Sequence, residues 1–151
     1  MMRVVCGVLG AMGSGIARNA AKKDQIRVVG GIDTDERLKG KDLGEFLGFK
    51  KPMGVKIESD PAKVLNETYP DIVIIATNSF VSNVLPQIMQ CVERHINVIT
   101  IAEEMAYPFE SHDEAAQLID GMAKKYGVTV LGTGINPGFV LDQLILNLTG
   151  A

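Results

Sequence analysis

The chain has 151 residues, 46% hydrophobic and 22% charged, enough for one globular domain with a buried core. Its net charge of −3 offers no basic field to a nucleic-acid backbone, and with 5% aromatics and no Trp it has little to stack on bases. No apolar run approaches the ~18 residues of a membrane span, and the short run before Leu9 is broken by Gly7 and lacks a cleavage region, so neither a membrane anchor nor a signal peptide is expected. Cys6 and Cys91 read as reduced packing residues in a buried strand and a helix, which points to a reducing, cytoplasmic compartment.

Apolar runs alternate with helix-period segments along the whole chain. Residues 3–9 predict a first strand and 14–23 a helix with Ile16, Ala17, Ala20 and Ala21 on one face. Residues 27–32 predict the second strand, 40–48 at most a short helix, and 55–58 a weak third strand. Asp60 before Pro61 is a helix start, an N-cap followed by proline at the first helical position. The run DIVIIAT (71–77) reads as a parallel strand buried on both faces, 80–95 as a helix, and NVITIA (97–102) as the fifth strand. Ser111 and Glu114 have the spacing of a capping box. The helix it opens carries an apolar stripe of Ala115, Leu118, Ile119, Met122 and Tyr126, ends in Lys124 and Lys125, and stops at Gly127. Residues 128–133 predict a sixth strand and 139–148 a last helix. This alternation calls for an α/β fold of the Rossmann type: a doubly wound, mostly parallel six-stranded sheet in the order 3-2-1-4-5-6, helices on both faces, one domain over residues 1–151.

Gly7, Gly10 and Gly13 fall where the first strand turns into the first helix. Glycines there permit a tight turn, admit a pyrophosphate close to the main chain, and let helix and strand pack closely. The amides of Ala11, Met12 and Gly13 would then face an anion at the positive end of the helix. Asp33 closes the second strand 20 residues after Gly13, where a carboxylate accepts from the ribose hydroxyls of an adenosine and repels a 2′-phosphate. NAD is therefore favoured, with NADP kept open because Arg37 is near.

Ligands of an open parallel sheet bind beyond the carboxyl ends of the strands. Ala76, Thr77 and Asn78 end the fourth strand, Ala102 the fifth, and the GTGINPG segment with Asn136 the sixth, which makes these residues further cofactor candidates. Thr77, Asn78 and Ser79 are equally placed to cap the following helix. The adjacent Glu103 and Glu104 would repel each other at a buried strand tip, and burial favours the protonated form, so either is a candidate general base. Two solvated loop acids is the competing reading. His95 suits a helix C-terminus and His112 a capping segment; neither has a neighbour at ligand spacing, so no metal site is expected.

The segment GVLGAMGSGIAR together with GID resembles the N-terminal domain of the dihydrodipicolinate reductase-like dehydrogenases. ATNSF, IAEEMAYPFE and GTGINPGFVLD resemble, more specifically, the 2,4-diaminopentanoate dehydrogenase group, so the resemblance covers nearly the whole chain. It implies an NAD(P)-dependent oxidoreductase that oxidatively deaminates an amine or amino acid. It also implies that Glu104, with Glu103 second, handles protons on the amine or on the attacking water. Members of this group carry a second, substrate-binding domain and work as homodimers. That domain is not expected within these residues, and turnover by these residues alone is not expected.

Overall fold

A computed structural model describes residues 1–150. The chain divides into two compact units, the first over Met1–Thr77 and the second from Asn78 onward. Six strands, β1 (Met2–Gly7), β2 (Ile26–Ile32), β3 (Ile57–Glu58), β4 (Ile72–Ile75), β5 (Asn97–Thr100) and β6 (Val130–Gly132), run in the order β3-β2-β1-β4-β5-β6. The order is the one the sequence predicts, and every registered pairing is parallel.

In the first unit β1 lies between β2 and β4, which is why it is apolar on both faces. Val4 and Cys6 point to one side, with Leu9, Val28, Leu43, Leu47 and Ile57 and with Ala17 and Ala20 of α1 (Ala11–Ala20). Val5 points to the other side. A Cβ on Gly30 would come within 3.1 Å of Val5 and 2.7 Å of Val64, so this glycine makes room for α3 (Pro61–Thr68). Asp60 caps α3 as expected, accepting from the Lys63 N–H with Pro61 just inside. Helix α1 begins three residues before the predicted start, because the Ser14 N–H already reaches Gly10 O and draws Ala11, Met12 and Gly13 into the first turn.

The short α2 (Leu43–Phe46) is held by Asp42, whose carboxylate accepts from the amides of Gly44, Glu45, Met53 and Gly54. Desolvation works to raise the pKa of this carboxyl, but the four amides outweigh it and hold the group below its ordinary range. A carboxylate depressed in the folded state adds stability that is complete above its unfolded pKa and lost as pH falls through the folded value. Asp42→Asn should therefore flatten the acid limb of the stability–pH curve, measured by urea unfolding between neutral and acid pH, with little change in shape above it. An acid limb identical to wild type would mean that the four bonds do not favour the ionised form.

In the second unit α4 (Val81–Val92) buries Val81, Val84, Ile88, Cys91 and Val92. β5 and β6 pair from Val98–Val130 to Thr100–Gly132. A single 3₁₀ turn, Glu103–Ala106, follows β5, and Gly132 approaches it so closely that a Cβ would lie 1.9 Å from Met105 O. Helix α5 (Asp113–Tyr126) ends as predicted, with Gly127 in the left-handed conformation at φ 66°. Its start differs: the Ser111–Glu114 capping box does not form. The His112 N–H bonds Pro108 O, so the chain turns once more, Ser111 sits in that turn, and His112 becomes the N-cap. The buried stripe is also narrower than expected. Ala116 and Ile119 carry it, and Leu118 is 48% exposed. The last predicted helix is an irregular helical segment, Ile135–Gln143, that continues into α6 (Leu144–Thr149).

Cys6 and Cys91 are buried free thiols, and burial pushes both up to about 12. No helix among the described residues is long and apolar enough to cross a membrane.

Candidate functional site

The first unit carries the glycine turn. Its left-handed residue is Val8, at φ 59°, and not one of the three glycines. A β-branched residue in that region costs about 1–3 kcal/mol and persists only where its surroundings hold it. Two hydrogen bonds do so: the Val8 N–H to Ile32 O at 2.7 Å, and the Leu9 N–H to Asp33 Oδ2 at 2.7 Å. Gly7 lies inside β1, where a Cβ would make only ordinary contact at 3.4 Å. Gly13 has no such room, since a Cβ there would sit 1.7 Å from Val8 O. It is the position of close helix–strand packing.

Gly10 is the N-cap of α1, in extended conformation with no side chain capping the helix, and a Cβ on it would project into open space. Ala11 and Met12 are exposed, and no side chain caps the N–H groups of the first turn. A helix N-terminus with uncapped N–H groups attracts anions, which keeps this turn the candidate for a diphosphate. Asp33 is buried at 7% exposure, and its other oxygen accepts the Asp35 N–H at 2.8 Å. The carboxylate therefore orders the turn from beneath as well as being a ribose candidate. Arg37 is paired in fork fashion to Asp35, which holds the Asp35 carboxyl down at about 2. At the end of β4, Ala76 packs near Gly13, and the Thr77 Oγ1 is buried without a hydrogen-bond partner, an atom that asks for one.

The second unit gathers a different group. Asn78 Oδ1 accepts the Phe80 N–H at 3.0 Å and so turns the chain into α4. The first N–H of α4 itself, on Val81, is accepted by Glu104 Oε2 at 2.8 Å. The capping expected of Thr77 to Ser79 is thus shared with a residue from the far side of β5. Glu104 donates its own N–H to Ser79 O at 3.2 Å, and His112 Nε2 stands 3.1 Å from the same Oε2. The expectation of a buried acid pair is corrected: Glu103 is exposed and Glu104 half-buried, because they lie on the 3₁₀ turn beyond the strand and not on its tip. Ala102 is buried, with its N–H on Thr100 Oγ1. Glu104, Tyr107, Ser111, His112 and Pro137 line an open cavity of about 310 Å³. Asn136 is exposed on the segment leading into Pro137. His112 is the residue that sequence reasoning passed over. It follows Glu104 by eight positions, and only the turn at Pro108 brings the two side chains together.

Residues 1–103 match the family model described as dihydrodipicolinate reductase, N-terminus. The chain belongs to this family. A 2,4-diaminopentanoate dehydrogenase of Acetoanaerobium sticklandii is 40% identical over 99% of the chain, which spans 42% of that protein's length. An amine dehydrogenase of Mycobacterium smegmatis has a solved structure that superposes with a TM-score of 0.83 at 40% identity, over 88% of this chain and 39% of that one. A 4-hydroxy-tetrahydrodipicolinate reductase of Methanothermobacter thermautotrophicus is 38% identical over 49% of the chain and spans 28% on its own side. As a member of this family, the chain has a dinucleotide-binding fold.

Proposed function

We propose that the chain is the coenzyme-binding part of an NAD(P)-dependent amine dehydrogenase that oxidatively deaminates a small diamino acid. The observation that carries this reading is the 40% identity to the diaminopentanoate dehydrogenase along 99% of the chain, where the reductase relative matches 49%.

The residues present fit a dinucleotide. Gly10 and the amides of Ala11, Met12 and Gly13 would hold its diphosphate, Asp33 its adenosine ribose, and the unpartnered Thr77 Oγ1, with Ala76 and Asn78, a more distal part. When bound, its nicotinamide supplies the hydride acceptor. Glu104 receives the proton of the substrate ammonium, so that the nitrogen lone pair is available as the C–H bond breaks, and it then orients water for hydrolysis of the imine to ketone and ammonia. Glu103, exposed on the same turn, is the second acid, and Ala102 and Asn136 shape the approach. We read NAD as the preferred coenzyme, since Arg37 would have to leave Asp35 to serve a 2′-phosphate. Ile135, Phe139, Leu141 and Leu148 are exposed apolar side chains that support a separate substrate-binding part packing there. Two buried free thiols suit a reducing, cytoplasmic compartment, and we read the complete enzyme as a homodimer.

Titration with NADH and NADPH, followed by an assay of amine-dependent NAD(P)H formation with 2,4-diaminopentanoate, tests the reading. Reduction of dihydrodipicolinate-type substrates without any amine oxidation would replace it with the reductase reading. Asp33→Ala should weaken NAD more than NADP. It should also cost about 1–3 kcal/mol of stability, because the buried Leu9 amide loses its acceptor. Equal loss of both coenzymes would assign Asp33 to the turn alone.

A further inference from the structure

We propose that His112 is a positioning residue for Glu104: with the first turn of α4 it clamps Oε2 and leaves Oε1 to the substrate nitrogen. The inference rests on the reading of Glu104 as the acid that handles the substrate's protons.

Three elements converge on one side chain. The Val81 N–H opens a 12-residue helix and donates to Oε2 at 2.8 Å, so this oxygen lies at the helix's positive end. His112 Nε2 is 3.1 Å from the same oxygen, an ion-pair contact made from the N-cap of α5. His112 is itself fixed, its N–H on Pro108 O and its carbonyl taking the Ala116 N–H, each at 2.9 Å. The Glu104 main chain is tied to Ser79 O. No hydrogen bond engages Oε1 among the described residues, and Glu104 lines an open cavity of about 310 Å³ with Tyr107, Ser111 and His112.

Both side chains are about one-third exposed, 34% for His112 and 32% for Glu104. A pair so exposed contributes little to stability. Its effect is on orientation: contacts to one oxygen from two sides restrict the rotamers of the carboxylate and bias the direction of its other oxygen. Glu103, on the same turn, has no such clamp and is exposed.

The test uses His112→Ala and His112→Gln in the whole protein, the glutamine keeping an amide donor at the reach of Nε2. His112→Ala should lower kcat by about 10- to 100-fold, leave coenzyme Kd within about twofold, and be largely restored by His112→Gln. Unchanged kcat overturns the proposal. So does a loss shared equally by coenzyme affinity and kcat that glutamine does not restore, which marks a structural role alone. A wild-type protein that takes up coenzyme but oxidises no amine overturns the reading of Glu104 and this inference with it. Active wild type with an indifferent His112→Ala overturns only the inference. In parallel, Glu104→Gln should shift the ring-nitrogen NMR signals of His112 and leave those of His95, which faces Tyr126 O, in place. Unmoved His112 signals overturn the clamp.

Discussion

Glu104→Gln is expected to lower kcat by about 10²- to 10⁴-fold, the range by which a positioned acid or base accelerates proton transfer, with coenzyme affinity within about twofold of wild type. Glutamine is nearly the same shape, and its carbonyl can still accept the Val81 N–H, so the α4 terminus stays capped. What it removes is the basic oxygen. Glu104→Ala should differ in a telling way, since it also strips the cap and leaves His112 facing nothing. Loss of the cap should add about 1 kcal/mol of destabilisation to the loss of rate. Comparing the two variants by steady-state kinetics and thermal unfolding separates chemistry from scaffolding. If Glu103→Gln lowers turnover and Glu104→Gln does not, the acid has been assigned to the wrong residue.

Gly10→Ala and Gly13→Ala, three residues apart on one turn, should fail in opposite ways. Gly10 has φ −60°, and a Cβ there meets nothing within 4 Å. The alanine chain should fold with stability within about 0.5 kcal/mol of wild type, as surface substitutions away from special features do. The new methyl would stand where the diphosphate must approach the main chain, so coenzyme affinity should drop by at least about tenfold, some 1.4 kcal/mol. At Gly13 a Cβ would lie 1.7 Å from Val8 O. Backbone has to move, at a cost of about 1–3 kcal/mol for overpacking, and it moves at the already strained Val8. Calorimetry of the free and coenzyme-saturated proteins reads both quantities. Gly10→Ala with unaltered coenzyme binding would remove the diphosphate from this turn.

Much of the fold was legible because it depends on periodicity and on local stereochemistry. The apolar core of DIVIIAT forms β4, with Val73 and Ile75 buried and Ile72 and Ile74 half-buried, and the Asp60–Pro61 pair opens α3 by chemistry contained in two residues. The strand order followed from alternation alone. Boundaries were less legible. Strand tips such as those of β5 and β6 end sooner than their apolar runs, because the chain leaves the sheet for turns that remain apolar. The Ser111–Glu114 motif has the right letters, but a main-chain bond from His112 to Pro108 decides where α5 begins.

By itself the sequence determined the alternation of strand and helix, the glycine-rich entry to α1 and the presence of two acids after β5, since each is written in contiguous residues. Only the tertiary structure decided that Val8 and not a glycine takes the left-handed turn, that Asp33 supports that turn from 24 positions away, and that His112 meets Glu104. The physical reason is the same in all three. A strained dihedral, a buried carboxylate and a half-exposed clamp are each held by hydrogen bonds to groups distant along the chain, and no local pattern encodes a partner that folding alone brings within 3 Å or so.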